Sequence, residues 1–344
     1  MKKVVVIGGG FAGSYLAKKL EKNFNVVLID AKEYFEFTPG ILRTIVEPEH
    51  IRKVQVMHSH YLKSAKIIVG NVKEVSDSFV LVNGRKVKFD YLVICSGSSY
   101  SLPIKEKEVV IATRAKHLRD CYDKLCGAKK VLIIGGGLVG VELAAEIVSR
   151  YPEKSITILH SGDKLIERNH EKAINYAEKF LRKRKVNIIY GERFVRNVKC
   201  SFFTDKKSKI DADIAFLATG IIPNYIFLTR NFSKHLNKKN QIQVNEYLQF
   251  EGIKNIFAAG DITDRSEEKT AQNAIRQAEI VSKNILALEG NLPLRVYHSK
   301  TTPLVISLGK YNGIYSRGPF VITGFIPGII KRFIEKWQMF KMKN

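Results

Sequence analysis

The sequence lacks long hydrophobic runs and is poor in cysteine. No stretch reaches the roughly 18 consecutive apolar residues that a membrane-spanning helix needs. Only four cysteines occur among 344 residues, and none forms a Cys-x-x-Cys pair, which indicates a reducing compartment without a disulfide framework. A strand is predicted to begin almost at Met1, so we expect no signal peptide. The second residue is Lys2 and not glycine, so we expect no N-myristoylation.

Acidic residues are also scarce. The chain has 33 Asp+Glu against 57 Lys+Arg, which gives a formal net charge of +24. Such an excess suits nucleic acid, an anionic membrane surface or acidic cofactors, although a generally basic proteome would produce it too. Because the bases are spread along the whole chain without a nucleic-acid motif, nucleic acid is disfavoured as a partner. A chain of this length, 45% hydrophobic, has core material for two domains and a small third.

The first thirty residues carry the strongest motif. A predicted strand over Val4–Ile7 runs into a glycine-rich turn, then a helix, then a second strand over Val26–Ile29. The glycines in G-x-G-x-x-G spacing are Gly8, Gly10 and Gly13. In order, they allow a tight turn, close approach of a pyrophosphate, and close packing of helix on strand. The helix N-terminus attracts phosphate and Asp30 can accept from a ribose, so this stretch predicts a dinucleotide-binding unit.

The same pattern repeats 127 positions later. A predicted strand leads into a second glycine turn, a helix follows, and the next strand is Ser155–Leu159. The glycines of this turn are Gly135, Gly137 and Gly140. Here the second strand ends on His160 without an acid, and the bases Lys164 and Arg168 lie just beyond. An acid would hold the 2′-hydroxyl of NAD and a base could hold the 2′-phosphate of NADP, so we expect tolerance of both.

Further strands are predicted to end in small-residue turns, where open α/β sheets bind ligands. The strands are Ile67–Val75, Phe79–Val82, Tyr91–Ile94, Ile214–Leu217 and Asn255–Ala258. The turns contain Ser96 and Gly97, then Gly220, then Gly260 and Asp261. Asp261 could alternatively be only a helix cap. A short helix is predicted over Ile41–Val46, a linker over 98–114, and a long helix from about Thr270 to Leu288.

Taken together, the motifs GGGFAG, CSGS, GGGLVGVELAAEI, ATGIIP and AAGD resemble, in order, the two-dinucleotide flavoprotein oxidoreductases (the pyridine nucleotide-disulfide oxidoreductase family). Two branches look closest: the apoptosis-inducing-factor-like group with the ferroptosis-suppressing quinone reductase, and the type II NADH:quinone oxidoreductases. The segments RYPEKSITILHS and VNEYLQFEGIKNIFAAGDITD favour the first branch. The resemblance covers nearly the whole chain.

The resemblance implies an α/β fold with two Rossmann-like domains and a small C-terminal region. An FAD domain (1–105 and 245–290) would hold an inserted NAD(P)H domain (106–244), followed by 291–344. FAD would be the cofactor and NADH or NADPH the substrate. The implied cofactor contacts are Gly8, Gly10, Phe11, Ala12, Gly13, Asp30, Arg43, Val72, Ser96, Gly97, Gly135, Gly137, Gly140, Gly220, Gly260 and Asp261. The implied catalytic residues are Glu142, near flavin and nicotinamide, Lys269, shared with the ferroptosis-suppressor branch, and Gln272, which matches a glutamine near quinone in the type II branch.

Many relatives pass flavin electrons to a cysteine pair, and this chain departs from them. Cys121 and Cys126 have C-x4-C spacing but precede the second glycine turn, and on a helix they would lie about 140° apart. We expect incidental thiols and direct transfer to the acceptor. A sulfide:quinone reductase would need a later cysteine than Cys200, the last one.

The chain ends in a predicted amphipathic helix, 326–341. Its apolar positions are Ile326, Ile329, Ile330, Phe333, Ile334, Trp337 and Phe340, and its interleaved bases are Lys331, Arg332, Lys336, Lys341 and Lys343. This pattern suits a helix in a membrane interface, or a face packed on its own domain or on a second subunit of a homodimer.

These features predict an FAD-dependent NAD(P)H:quinone oxidoreductase, cytoplasmic and peripheral on the inner face of a membrane. One alternative is a soluble NADH-dependent reductase of an acidic electron carrier such as rubredoxin or ferredoxin. Another is a non-enzymatic, NADH-responsive flavoprotein.

Overall fold

Two parallel sheets frame the protein, and each contains the strand that leads into a glycine-rich turn. The structure is a computed structural model that describes residues 1–99 and 111–343, the side chains of 111–117 excepted. The mixed α/β architecture with parallel sheets confirms the predicted fold class.

The chain up to Ile134 contains eleven strands and four α-helices among its described residues. The strands are β1 Lys3–Ile7, β2 Asn25–Asp30, β3 Tyr34–Glu36, β4 Gln55–Met57, β5 Lys66–Val69, β6 Val72–Val75, β7 Phe79–Val82, β8 Arg85–Lys88, β9 Tyr91–Ile94, β10 Ser98–Ser99 and β11 Lys130–Ile134. The helices are α1 Phe11–Leu20, α2 Ile51–Val54, α3 His58–Tyr61 and α4 Ile111–Gly127.

The chain from Leu138 onward continues with another eleven strands and four α-helices in its described part. The strands are β12 Ser155–Leu159, β13 Asn187–Ile189, β14 Phe194–Val198, β15 Ser201–Thr204, β16 Lys209–Asp211, β17 Ile214–Leu217, β18 Ile222–Pro223, β19 Ile256–Ala258, β20 Leu304–Leu308, β21 Asn312–Arg317 and β22 Phe320–Gly324. The helices are α5 Leu138–Arg150, α6 Glu171–Arg182, α7 Ala271–Glu289 and α8 Phe325–Lys343.

The two parallel sheets repeat one another. The first has the order β19-β9-β1-β2-β5 and the second β13-β12-β11-β17. Their central strands are buried apolar runs, as expected where helices cover both faces of a sheet. The backbone N–H of Gly8 donates to the carbonyl of Ile29 at 2.7 Å, and that of Gly135 donates to the carbonyl of Leu159 at 2.8 Å. The two turns are therefore joined to their second strands in the same register.

The first sheet takes strands from both ends of a long stretch of chain. Its members come from residues 3–94 and 256–258, and the second sheet lies between them in sequence. This order agrees with an inserted domain, although the domain boundaries stay a prediction. The boundary expected at 105/106 and most of the linker expected over 98–114 lie outside the described residues.

Two local expectations were wrong. The single strand expected over Ile67–Val75 is two strands, because the chain breaks at Gly70-Asn71. β5 joins the first parallel sheet, whereas β6 starts the antiparallel sheet β6-β7-β8. The short helix expected over Ile41–Val46 is a 3₁₀ helix over Thr38–Ile45, and its second residue, Pro39, suits the first turn of a helix.

The C-terminal region is the antiparallel sheet β20-β21-β22, which runs directly into α8. The helix crosses this sheet and also packs near α2 and α3. A Cβ atom on Gly328 would lie 2.4 Å from the carbonyl oxygen of Tyr311, so the close crossing depends on a glycine there. Among the described helices, none is long and apolar enough to cross a bilayer.

Candidate functional site

The first and third glycines of both turns are packing residues. Gly8 and Gly135 adopt φ values of +95° and +116°, where side chains are strained. A Cβ atom on either would lie 2.3 Å from a carbonyl oxygen of the neighbouring strand end. A Cβ atom on Gly13 or Gly140 would lie 1.7 or 1.9 Å from the carbonyl oxygen of the first glycine. Both turns are therefore closed against their sheets in the same way.

The middle glycines face open space instead. Gly10 is the N-cap of α1 and Gly137 the N-cap of α5. A Cβ atom on either would meet no atom of the described residues within 4 Å. Each helix thus presents free N–H groups and the positive end of its dipole to an unfilled space, which fits a pyrophosphate. On this geometry the two turns fit two dinucleotides.

A cavity of about 650 Å³ opens in front of the first turn. It brings together most of the residues predicted from sequence: Gly8, Gly10, Phe11, Ala12, Asp30, Val72, Ser96, Gly97, Glu142, Gly260, Asp261, Lys269 and Gln272. Outside its lining lie Gly13, Arg43, Gly135, Gly137, Gly140 and Gly220. The contacts of all these residues with bound nucleotide stay predictions.

Asp30, at one end of the cavity, is backed by a buried histidine. His58 Nε2 lies 3.0 Å from Asp30 Oδ2, and His58 Nδ1 lies 2.6 Å from the hydroxyl oxygen of Tyr61. Since a carboxylate only accepts, Nε2 carries the proton and Nδ1 accepts from Tyr61. Burial raises the pKa of Tyr61, with a further contribution from Asp30, so its hydroxyl remains a donor. His58 therefore holds the carboxylate that is predicted to bind the FAD ribose.

The turn at Asp261 is held by a second buried network. The hydroxyl of Ser98 donates to Asp261 Oδ2 at 2.6 Å. The carboxamide oxygen of Gln277, 1% exposed, accepts from the backbone N–H of Gly260 at 2.7 Å. Lys269 donates to two backbone carbonyls of the same loop, and burial lowers its pKa. Lys269 thus ties down the loop that carries Asp261.

The other end of the cavity is closed by the C-terminal region. Glu142 Oε1 accepts from the backbone N–H of Ser307 at 2.7 Å and from Lys331 Nζ at 3.1 Å. Lys331 belongs to α8, and its pairing with Glu142 directs this base, predicted to interleave with the apolar face of the helix, toward the cavity. Gln272 lies on the wall of the same cavity and donates to a backbone carbonyl at 3.4 Å.

Arg43 forms an ion pair with Glu146, which lies one helical turn after Glu142 on α5. Its guanidinium donates to Glu146 Oε1 at 2.9 Å, and both side chains are nearly buried. Burial lowers the pKa of Arg43, but the facing carboxylate outweighs it, so the pKa is above its usual value. The pair joins the 3₁₀ helix over Thr38–Ile45 to α5, and direct contact of Arg43 with FAD stays a prediction.

The outer face of α8 is apolar and exposed. We call the residues along it the outer stripe: Ile326, Ile329, Phe333, Trp337 and Phe340. Their exposed fractions lie between 48% and 65%, and the three aromatic rings stack in sequence with centroids 6.3 and 6.0 Å apart. Ile334, predicted for this face, instead lines the cavity.

The thiols of the C-x4-C pair lie away from the cavity. Cys121 is buried and Cys126 exposed on α4, and neither belongs to the cavity lining. Cys95 lies in the floor beneath the first turn, where burial raises the pKa of its thiol.

Comparisons with known proteins agree with this geometry. The profile of the family described as "Pyridine nucleotide-disulphide oxidoreductase" matches residues 2–278. The chain is 34% identical to apoptosis-inducing factor homolog B of Dictyostelium discoideum, over 98% of this chain and 96% of that protein. It is 29% identical to ferroptosis suppressor protein 1 of Mus musculus, over 94% and 90%. The sulfide:quinone oxidoreductase of Aquifex aeolicus superposes with a TM-score of 0.85 at 19% identity, covering 100% and 92%.

Proposed function

The chain belongs to the pyridine nucleotide-disulphide oxidoreductase family and is an FAD-dependent NAD(P)H oxidoreductase, and we propose that its electron acceptor is a quinone held in a membrane. FAD, when bound, supplies a centre that takes a hydride from NAD(P)H and passes two electrons to the acceptor. The chain's own residues bind, orient and shield the reactants. We place the protein on the inner, cytoplasmic face of the membrane.

One observation carries the proposal: one side of α8 lines the cavity, and the other side exposes the outer stripe. Lys331, Ile334 and Gln338 line the cavity from one side of the helix. Phe333 and Trp337 are 65% and 49% exposed on the other. An acceptor with an apolar tail could therefore approach the cavity along a helix whose free side suits a lipid interface.

The residues would share the work as follows. The N-terminus of α1 and Asp30 would hold FAD at its pyrophosphate and ribose, and Asp261 would contact its ribitol. The N-terminus of α5 would hold NAD(P)H. Glu142 and Lys331 place an exchangeable proton on the cavity wall, where an acceptor oxygen could take it during reduction.

The test follows the colour of the bound flavin in stopped flow. We expect NADH or NADPH to bleach the flavin, and a quinone to restore it without any thiol or carrier protein. A long-tailed quinone in liposomes and a short soluble quinone should both act. If only an acidic carrier protein restores the colour, the soluble reductase is the better assignment. If no acceptor supports turnover, the better assignment is a non-enzymatic flavoprotein.

A further inference from the structure

The strand-end position that carries the ribose acid in the first unit carries a histidine in the second. Because both glycine turns are bonded to their second strands in the same register, Asp30 and His160 are equivalent positions. Both side chains lie beside the second residue of the turn: a Cβ atom on Gly9 would be 2.6 Å from Asp30 Oδ2, and one on Gly136 would be 2.9 Å from His160 Cγ. The second unit thus has an imidazole where a carboxylate is expected.

The structure restores the missing carboxylate from farther along the chain. His160 Nε2 lies 3.2 Å from Glu167 Oε1. In the first unit, Asp30 lies 3.0 Å from His58. Each nucleotide unit therefore has a carboxylate–imidazole pair at the end of its second strand, with the two partners exchanged.

Hydrogen bonding determines the tautomer of His160. The backbone N–H of Gly136 donates to His160 Nδ1 at 3.2 Å, so Nδ1 carries no proton. The proton is on Nε2, which donates to Glu167. A Cβ atom on Gly162 would lie 1.5 Å from Glu167 Oε1, so the carboxylate rests on the backbone just after the strand. Its side chain is 48% exposed, which leaves it accessible to a ribose.

The nearby bases are turned to other partners. Lys164 pairs with Glu171 at 3.3 Å and Arg168 with Glu268 at 3.7 Å. Both bases thus have carboxylate partners of their own, whereas the carboxylate of Glu167 lies at the strand end beside the glycine turn. A carboxylate accepts hydrogen bonds from ribose hydroxyls and repels a 2′-phosphate.

We infer that Glu167, oriented by His160, binds the adenosine ribose of the dinucleotide and makes NADH the preferred donor over NADPH. This departs from the tolerance of both that the strand end alone suggested. It rests on the proposed function, in which the second unit holds NAD(P)H.

The test compares two probes that differ only in the 2′-phosphate: ADP-ribose and 2′-phospho-ADP-ribose. We expect the wild-type protein with its flavin bound to favour ADP-ribose in calorimetric titration, and NADH to bleach the flavin at lower concentration than NADPH. Glu167→Gln should lower the ratio of the two affinities by roughly tenfold or more, because a charged acceptor and a repulsion both disappear. The matched control is Asp163→Asn, which removes an exposed carboxylate from the same turn and should leave the ratio unchanged.

Three results would overturn the inference. They are equal wild-type affinity for the two probes, an unchanged ratio in Glu167→Gln, and a shift in Asp163→Asn equal to that in Glu167→Gln. The two affinities are recorded separately, because general damage to the fold would weaken both probes together, whereas loss of the Glu167 charge should weaken ADP-ribose and not 2′-phospho-ADP-ribose. Failure of the proposed function would give a different result: neither probe would bind and neither nucleotide would bleach the flavin. The second unit would then not be a nucleotide-binding site.

Discussion

The outer stripe of α8 gives the sharpest test of membrane binding. We consider the triple substitution of Phe333, Trp337 and Phe340 by Gln. These side chains are 65%, 49% and 57% exposed, and their rings form one stacked surface. Glutamine is a good helix former, and the buried side of α8, including Met339 and Met342, is left intact. The variant should therefore keep the fold.

The magnitude follows from the exposed area. An aromatic side chain offers ~200 Å², so the three exposed fractions sum to ~350 Å². At ~25 cal/mol per Å², complete burial in lipid would contribute ~9 kcal/mol. A helix in the interface buries about half of that surface, so the triple variant should lose ~4 kcal/mol, or about a thousandfold in partitioning. A single base such as Lys336 contributes only ~1 kcal/mol.

The assay is sedimentation with anionic liposomes, with two activities beside it. Turnover of a long-tailed quinone in the liposomes should fall with binding, while turnover of a short soluble quinone should stay near normal. The matched control is Val195→Gln with Val198→Gln on β14, two exposed apolar side chains outside the stripe. Wild-type protein that never binds liposomes, with a dimer that the triple variant splits, would refute the membrane reasoning. Deleting α8 is a poorer test because Lys331 would leave the cavity with it.

Four further variants have expected outcomes. Gly10→Val should lose flavin absorbance while keeping its circular dichroism, because a Cβ atom there meets no atom of the described residues within 4 Å. Gly137→Val should keep the flavin but resist bleaching by NAD(P)H; a bleached Gly137→Val would contradict the second site. Changing Cys121 and Cys126 together to Ser should leave quinone turnover unchanged, and a loss of orders of magnitude would indicate a thiol relay. Arg43→Gln should lower the free energy of unfolding by ~3 kcal/mol, measured in urea, because the buried carboxylate of Glu146 loses its counter-charge.

The glycine turns were predictable because their requirements are local. Gly8 and Gly135 are required by their own positive φ values, and Gly13 and Gly140 by the carbonyl oxygen of the first glycine in the same turn, so the need leaves a fixed spacing in the sequence. The parallel strands beside them are unbroken apolar runs, which also show directly. The break at Gly70 was missed because the side chain that packs over it, Asn83, belongs to the hairpin turn between β7 and β8.

The side chains that orient the site were not predictable in this way. His58 is 28 positions from Asp30, and Lys331 is 189 positions from Glu142. Only the fold brings such pairs together, and a histidine or lysine with one distant partner leaves no periodic pattern. Glu167 was hidden for a related reason, because the strand end on which an acid is normally sought carries His160 instead.

The C-terminal helix shows where periodicity misleads. An amphipathic helix is usually read with its apolar face against the protein. In α8 the inner side contains Lys331 and Glu335, which meet Glu142 and His50 at 3.1 and 3.2 Å, while the most apolar side is exposed. The hydrophobic pattern identified the helix but not the side that faces the protein, because the inner face is held partly by ion pairs. This docking leaves Phe333 and Trp337 65% and 49% exposed, and that inversion is the physical reason to look for lipid there.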